Sequence, residues 1–124
     1  MNIRVYYKDT DAGSIVYHSR YLDMCEMARS ELFFSNGMMP FVDGCHFALS
    51  KIESKFVNYA KLGDLLSVST KLVELKNASF RVYHEIKRDD KLIFSMEALL
   101  VFLCEDGKIK RIPPKYVEFL KSFR

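Results

Sequence analysis

Asp9-Thr10-Asp11-Ala12-Gly13-Ser14-Ile15-Val16-Tyr17-His18, with the run that follows it to about Phe34, decides how the rest of the chain is read. Asp9, Thr10, Asp11, Gly13 and Ser14 are turn formers and demand a loop. From about Ser19 onward Tyr21, Leu22, Cys25, Ala28, Leu32 and Phe33 recur at helical spacing. Asp23 and Glu26 stand early and Arg29 later, as the helix macrodipole favours. Met24 and Met27 widen the apolar arc, which predicts a helix buried on most sides, and Asn36-Gly37 supplies a stop. About 16 residues would span about 24 Å, enough to lie across a small sheet.

Working outward, Ile3, Val5 and Tyr7 alternate with Arg4, Tyr6 and Lys8, predicting a strand over residues 3–8. After an irregular stretch with Pro40 and Gly44, four strands are expected: Phe47 to Tyr59, Leu65 to Lys76, Ser79 to Arg88 and Leu92 to Glu105. Lys61-Leu62-Gly63-Asp64, Lys76-Asn77-Ala78 and Asp89-Asp90 separate them as turns. Phe80, Val82, His84 and Ile86 share one face of their strand, and Arg81, Tyr83, Glu85 and Lys87 the other. The last long strand puts Leu92, Phe94, Met96, Ala98, Leu100, Phe102 and Cys104 on one face and Ile93, Leu99, Val101 and Leu103 on the other.

A strand apolar on both faces is covered on both faces. One helix covers only one side of a sheet, so the second face predicts a homo-oligomer, a dimer or tetramer. Asp106-Gly107 reads as a tight hairpin turn, Lys108 to Ile112 as a segment that pairs back, and Pro113-Pro114 as its end. Tyr116, Val117, Phe119 and Leu120 make a short amphipathic terminal helix. The element order is that of an α+β fold, a curved antiparallel sheet of about five strands wrapped around one long helix.

A chain of 124 residues, 49% hydrophobic and 28% charged, fits one domain over 1–124. Its longest apolar run, Ala98 to Cys104, is too short to span a membrane. Met1 to Arg4 leads straight into strand alternation, so no signal peptide is expected and the default compartment is the cytoplasm. A net charge of +3 can help attract a phosphorylated ligand but is too small and dispersed for a nucleic-acid protein. Cys25, Cys45 and Cys104 are odd in number and lack C-x-x-C spacing, which argues against a disulfide framework and a zinc site. They are expected as reduced thiols in or near the core, with no metal.

Three chemistries compete for the Asp9–His18 segment. The Asp9-x-Asp11 spacing is that of haloacid dehalogenase-type phosphatases, which need a parallel sheet with more strand–helix units than this chain has. A calcium loop would want further oxygen ligands where Ile15, Val16 and Tyr17 stand. What is left is a carboxylate held in a loop just ahead of a helix N-terminus.

The run Arg4-Val5-Tyr6-Tyr7-Lys8-Asp9-Thr10-Asp11-Ala12-Gly13-Ser14-Ile15-Val16-Tyr17-His18-Ser19-Arg20-Tyr21, continued by Glu26-Met27-Ala28-Arg29, resembles the signature of the hotdog-fold 4-hydroxybenzoyl-CoA thioesterase family. Within that family it is most similar to the bacterial acyl-CoA thioesterases associated with the Tol-Pal envelope system. The resemblance implies hydrolysis of an acyl-CoA, with Asp11 as the essential carboxylate and a backbone N–H at or next to His18 aimed at the thioester carbonyl. A helix start, with its unpaired N–H groups and positive dipole end, suits an oxygen that gains negative charge. Asp11 either attacks directly or deprotonates a water. Gly13 would let the backbone turn close to the acyl chain, and the His18 ring could orient Asp11 or a water.

Coenzyme A belongs to the substrate, so no separate cofactor is implied. In the family, basic residues at a middle strand start and near the C-terminal strand contact its nucleotide end, positions that fall here on Lys76, Lys110 and Arg111. Two neighbouring positions, basic in the type enzyme, are Asn77 and Ala78 in this chain.

Asp9 reads as a loop-stabilising aspartate. Glu26 and Arg29 read as a same-face i,i+3 pair, although a related hotdog lineage uses a helix glutamate as its carboxylate. His46 and His84 lack partners at ligand spacing and read as structural or exposed. Ser35, Ser50 and Ser54 lack a G-x-S-x-G setting, which argues against a serine hydrolase. Two rivals stand beside the thioesterase: a noncatalytic acyl-binding or scaffold protein of a lipid-synthesis or envelope complex, and a hotdog dehydratase, which would pair a His with a Glu or Asp across a dimer.

Overall fold

Strict alternation makes the strand Ser79–Arg88, in which Phe80, Val82, His84 and Ile86 are all buried. In the computed structural model, which describes residues 1–124, that strand is β5 of a six-stranded antiparallel sheet. The others are β1 (Asn2–Arg4), β2 (Phe41–Val42), β3 (Cys45–Phe56), β4 (Leu65–Leu75) and β6 (Lys91–Cys104), in the order β1-β4-β5-β6-β3-β2. Helix α1 (His18–Ser35) lies against one face of the sheet, turning Tyr21, Met24, Cys25, Ala28, Arg29 and Phe33 inward. A short helix α2 (Pro114–Lys121) packs near its far end, where Phe33 meets Tyr116 and Phe119. The expected curved sheet around one long helix is thus present, with a sixth strand in the two-residue β2.

The ends of α1 follow from its sequence. Gly37 sits at φ 68°, the Gly37 amide donates to the Phe34 carbonyl and the Met38 amide to the Phe33 carbonyl, a complete Schellman closure. Met38 and Phe33, the residues that such a closure brings together, are both buried. Met27 and Phe34 stay exposed, so the helix is less enclosed than its apolar arc predicts.

Several boundaries differ from expectation for identifiable reasons. The first strand ends at Arg4 instead of Lys8, because the Asp9 carboxylate accepts the Tyr6 amide and winds Tyr7–Asp9 into a 3-10 turn. The third strand starts at Cys45 and stops at Phe56, short of Tyr59. The segment after Gly107 pairs back only through a bridge between Leu103 and Ile109. Asp89 and Asp90 adopt φ 48° and 65°, the left-handed pair that closes a tight hairpin between β5 and β6.

Ile93 is fully buried beside Phe94, not outward as simple alternation predicts. The β5–β6 register jumps between Ile86 and Lys87, leaving Ile93 as the extra residue of a bulge. Its carbonyl accepts both the Val57 and Asn58 amides. Further shifts at Leu49/Lys51 and Leu72/Glu74 bend β3 and β4 in the same manner.

The expectation of three reduced thiols is corrected at two of them. Cys45 and Cys104 stand opposite each other in β3 and β6, joined by a disulfide, while Cys25 is free and buried. Spacing along the chain carries no sign of this pair, since strand register alone brings the two cysteines together.

Candidate active site

Residues 10–16 form a small hairpin: Thr10 bridges Val16, the Asp11 amide donates to the Ile15 carbonyl, and the Ser14 amide to the Asp11 carbonyl. Its tip turns through Ser14 at φ 65°. The hairpin is laid against the β3–β4 connection by Val16 N–H to Ala60 O at 2.9 Å and Leu62 N–H to Ser14 O at 3.1 Å. The Tyr21 hydroxyl accepts the Ala60 amide at 3.0 Å, so the first turn of α1 grips the same connection.

Asp9 is buried and spent on structure. Its carboxylate accepts the Tyr6 amide at 3.0 Å, the Lys8 ammonium at 2.9 Å and the Arg20 guanidinium at 3.0 and 3.2 Å. Burial alone would raise its pKa, yet these donors together hold the carboxyl below the usual range.

Asp11 is the opposite case, an exposed carboxylate at the hairpin tip. Its Oδ1 accepts the Gly13 amide at 2.8 Å, and Oδ2 makes no contact with any donor of the chain. A Cβ at position 13 would stand 3.3 Å from Oδ1, so the glycine there makes room for the Asp11 carboxylate. The nearest neighbour of Gly13 is therefore the carboxylate itself.

His18 is the first residue of α1. Tyr17, ahead of it, is extended and offers no side-chain cap, and no acidic residue stands in the first turn. The amides of His18 and Ser19 find no acceptor in the chain. A carboxylate oxygen and an uncapped, positively polarised helix start are thus delivered by one short segment. Neither Asp11 nor His18 lines any of the four main cavities of the single chain.

The cation candidates separate. Lys76 and Arg111 line one cleft of about 370 Å³ between the β4–β5 turn and the start of α2. Lys110 does not line it and pairs with Asp106 at 3.3 Å. Glu26 and Arg29 do not form the expected ion pair: Arg29 is buried, its Nη1 3.1 Å from His84 Nε2, while Glu26 is exposed. His84 Nδ1 lies 3.0 Å from Thr70 Oγ1, which places His84 in the core, whereas His46 is exposed. Burial lifts the free Cys25 thiol to about 12 and keeps it protonated, which removes it as a nucleophile. No group of three metal-binding side chains occurs, and no helix is long and apolar enough to cross a membrane.

The profile of the Thioesterase-like superfamily matches residues 5–120. The acyl-CoA thioesterase YbgC of Haemophilus influenzae is 36% identical to this chain over 121 residues, covering 94% of the chain and 88% of the relative. The acyl-CoA thioesterase YbgC of Helicobacter pylori is 40% identical over 86 residues, so that match spans 69% of this chain and 65% of the relative's length. Among solved structures, a probable thioesterase from Bartonella henselae superposes with a TM-score of 0.86 at 28% identity, covering 91% of this chain and 97% of that one.

Proposed function

Because the chain belongs to the thioesterase-like superfamily, we propose that it is an acyl-CoA thioesterase, converting an acyl-CoA and water into a free acid and coenzyme A. The observation that carries the reading is the pairing of an unspent Asp11 oxygen with the uncapped start of α1 in one segment. Asp11 attacks the thioester carbon or takes a proton from the attacking water. The His18 amide receives the carbonyl oxygen as its charge grows, a type of contact whose loss typically costs about 10² to 10³ in rate. The His18 ring orients the carboxylate or the water.

Coenzyme A arrives and leaves as part of the substrate, and the reaction as written needs no resident cofactor. Lys76 and Arg111, sharing one cleft, are the better supported holders of its phosphates. Lys110, paired to Asp106 and outside that cleft, contributes less than Lys76, which lies in it although 3.9 Å from Glu74.

The working unit is a homo-oligomer, a dimer or a homotetramer. Two features support it. β3 pairs with β6 along one edge but with β2 only at Cys45 and His46 on the other, leaving the rest of a long strand edge open. Leu99, Val101 and Leu103 line the sheet face opposite α1 and are only half-buried. The likeness along Arg4–Tyr21 supports membership of the Tol-Pal-associated branch, acting on the cytoplasmic acyl-CoA pool.

The test is a thiol-release assay over a panel of acyl-CoAs, run on the chain and on Asp11→Asn. Turnover abolished by that substitution is expected. Binding without thiol release would indicate a scaffold, and near-normal turnover by the variant would remove Asp11 from the chemistry.

A further inference from the structure

Arg29 is a charged side chain that the thioester chemistry does not use. It projects from the buried face of α1 with 9% of its surface exposed. Guanidinium groups stay protonated in proteins and carry five donors. Here Nη1 meets His84 Nε2 at 3.1 Å, and no carboxylate lies within ion-pair distance. His84 is fully buried, and burial together with the neighbouring guanidinium lowers its pKa to about 3, so it is a neutral acceptor that cancels no charge.

Nε and Nη2 have no partner in the chain, yet every fully buried side-chain polar atom of the fold has one. These donors therefore reach open space. Arg29 lines a cavity of about 420 Å³ between α1 and β3, together with Phe33, Phe47, Phe80, Leu100 and the exposed Glu26, and it also borders a far smaller gap of about 10 Å³ beside Thr70 and Phe123. A buried cation with no carboxylate in contact is costly unless something anionic meets it, and Glu26, whose charge reaches Arg29 from the same cavity, stands beyond ion-pair distance.

We propose that this cavity holds the acyl group and that Arg29 reads a carboxylate, or a comparable oxygen acceptor, carried on that group. The substrate class is then acyl-CoAs with a second acidic function at or near the distal end, in preference to plain alkanoyl-CoAs. The aromatic walls take the methylenes, and the guanidinium takes the oxygens in a charge-assisted, two-pronged contact. Arg29 lies eleven residues beyond His18, about 16 Å along the helix, with its side chain leaning back toward the helix start. A reporter of the acyl tail at that distance sits apart from the reacting carbonyl. The inference rests on the thioesterase reading above and adds to it the nature of the acyl tail.

The experiment compares kcat/KM for pairs of acyl-CoAs matched in chain length, one member ending in a methyl group and the other in a carboxylate. The wild-type enzyme is expected to favour the carboxylate-ended member by about ten- to a hundredfold, the range for hydrogen bonds to a charged group. In Arg29→Gln that ratio falls to near unity, while Arg29→Lys retains part of it, each variant being checked for a cooperative thermal transition. Equal turnover of the two members by wild type, or a ratio unchanged in Arg29→Gln, overturns the inference and leaves the thioesterase reading standing. Hydrolysis of no thioester at all overturns that reading instead. If neither variant folds, the wild-type ratio decides, with inhibition of alkanoyl-CoA hydrolysis by free dicarboxylic acids against monocarboxylic acids of equal length as the second measurement.

Discussion

Arg20 reaches back eleven residues to clamp Asp9, placing Nη2 3.0 Å and Nε 3.2 Å from one carboxylate oxygen. The contact ties the segment just ahead of the hairpin to the first turn of α1. Replacing Asp9 by Asn leaves three donors with a weaker acceptor in a buried setting. Asp9→Asn is expected to lose about 2–3 kcal/mol in denaturant unfolding, the scale for hydrogen bonds to buried charged groups. An unchanged midpoint would show that the clamp is decorative.

Asp11 calls for the reverse outcome. It is exposed and bound only by the Gly13 amide, so Asp11→Asn should leave the melting temperature almost unchanged and abolish thiol release. The pair of variants separates the two aspartates by what each one loses.

The helix start offers a way to distinguish amide from ring at one position. Proline is tolerated at the first helical residue, and Tyr17 already has the extended backbone (ψ 137°) that a following proline favours. His18→Pro should fold yet lose about 10² to 10³ in kcat beyond the loss in His18→Ala, because it alone removes the N–H donor. Equal rates in the two variants would discard the amide as oxyanion donor.

His84 sets a pH signature on stability. Burial, with Arg29 beside it, lowers its folded-state pKa from 6.5 to about 3. Between those values the unfolded chain binds a proton that the folded chain refuses, so stability is full above pH 6.5 and falls as pH drops toward 3. The slope approaches about 1.4 kcal/mol per pH unit for one such group. Urea unfolding at pH 7 and pH 5 should show this loss in the wild type and much less of it in His84→Gln. A slope equal in both proteins would mean that other groups carry it.

Much of this architecture was legible from residue patterns. The period of Tyr21, Leu22, Cys25, Ala28, Leu32 and Phe33 anticipates α1 to within a residue or so at each end, because Asn36-Gly37 closes it in the left-handed conformation that glycine adopts freely. The alternation of Phe80, Val82, His84 and Ile86 anticipates β5 in full. What escaped depends on which residues meet across strands. Nothing local in Ile93 shows that a bulge turns it inward, nor in Cys45 that Cys104 stands opposite. Arg29 looks like half of a surface pair with Glu26 until β5 places His84 beneath it, 55 positions away in sequence. That the Asp11 loop leads directly into the start of α1 at His18 is readable from the sequence because the two are contiguous in the chain.

The register shift between Leu49 and Lys51 gives Ser50 an importance out of proportion to its chemistry. As the extra residue of that bulge it lets Phe47 and Leu49 before it and Ile52 and Ser54 after it face the same side although their positions differ in parity, each keeping its partner on β6. Phe47, which touches Phe33, Phe80 and Phe102, and Ile52, opposite Ala98, are thereby held on one face, and deleting Ser50 would straighten the strand without exchanging its faces. The edit this strand absorbs least is therefore a residue inserted away from the bulge, where no irregularity takes up the change of parity and every side chain on one side of the insertion would be turned over.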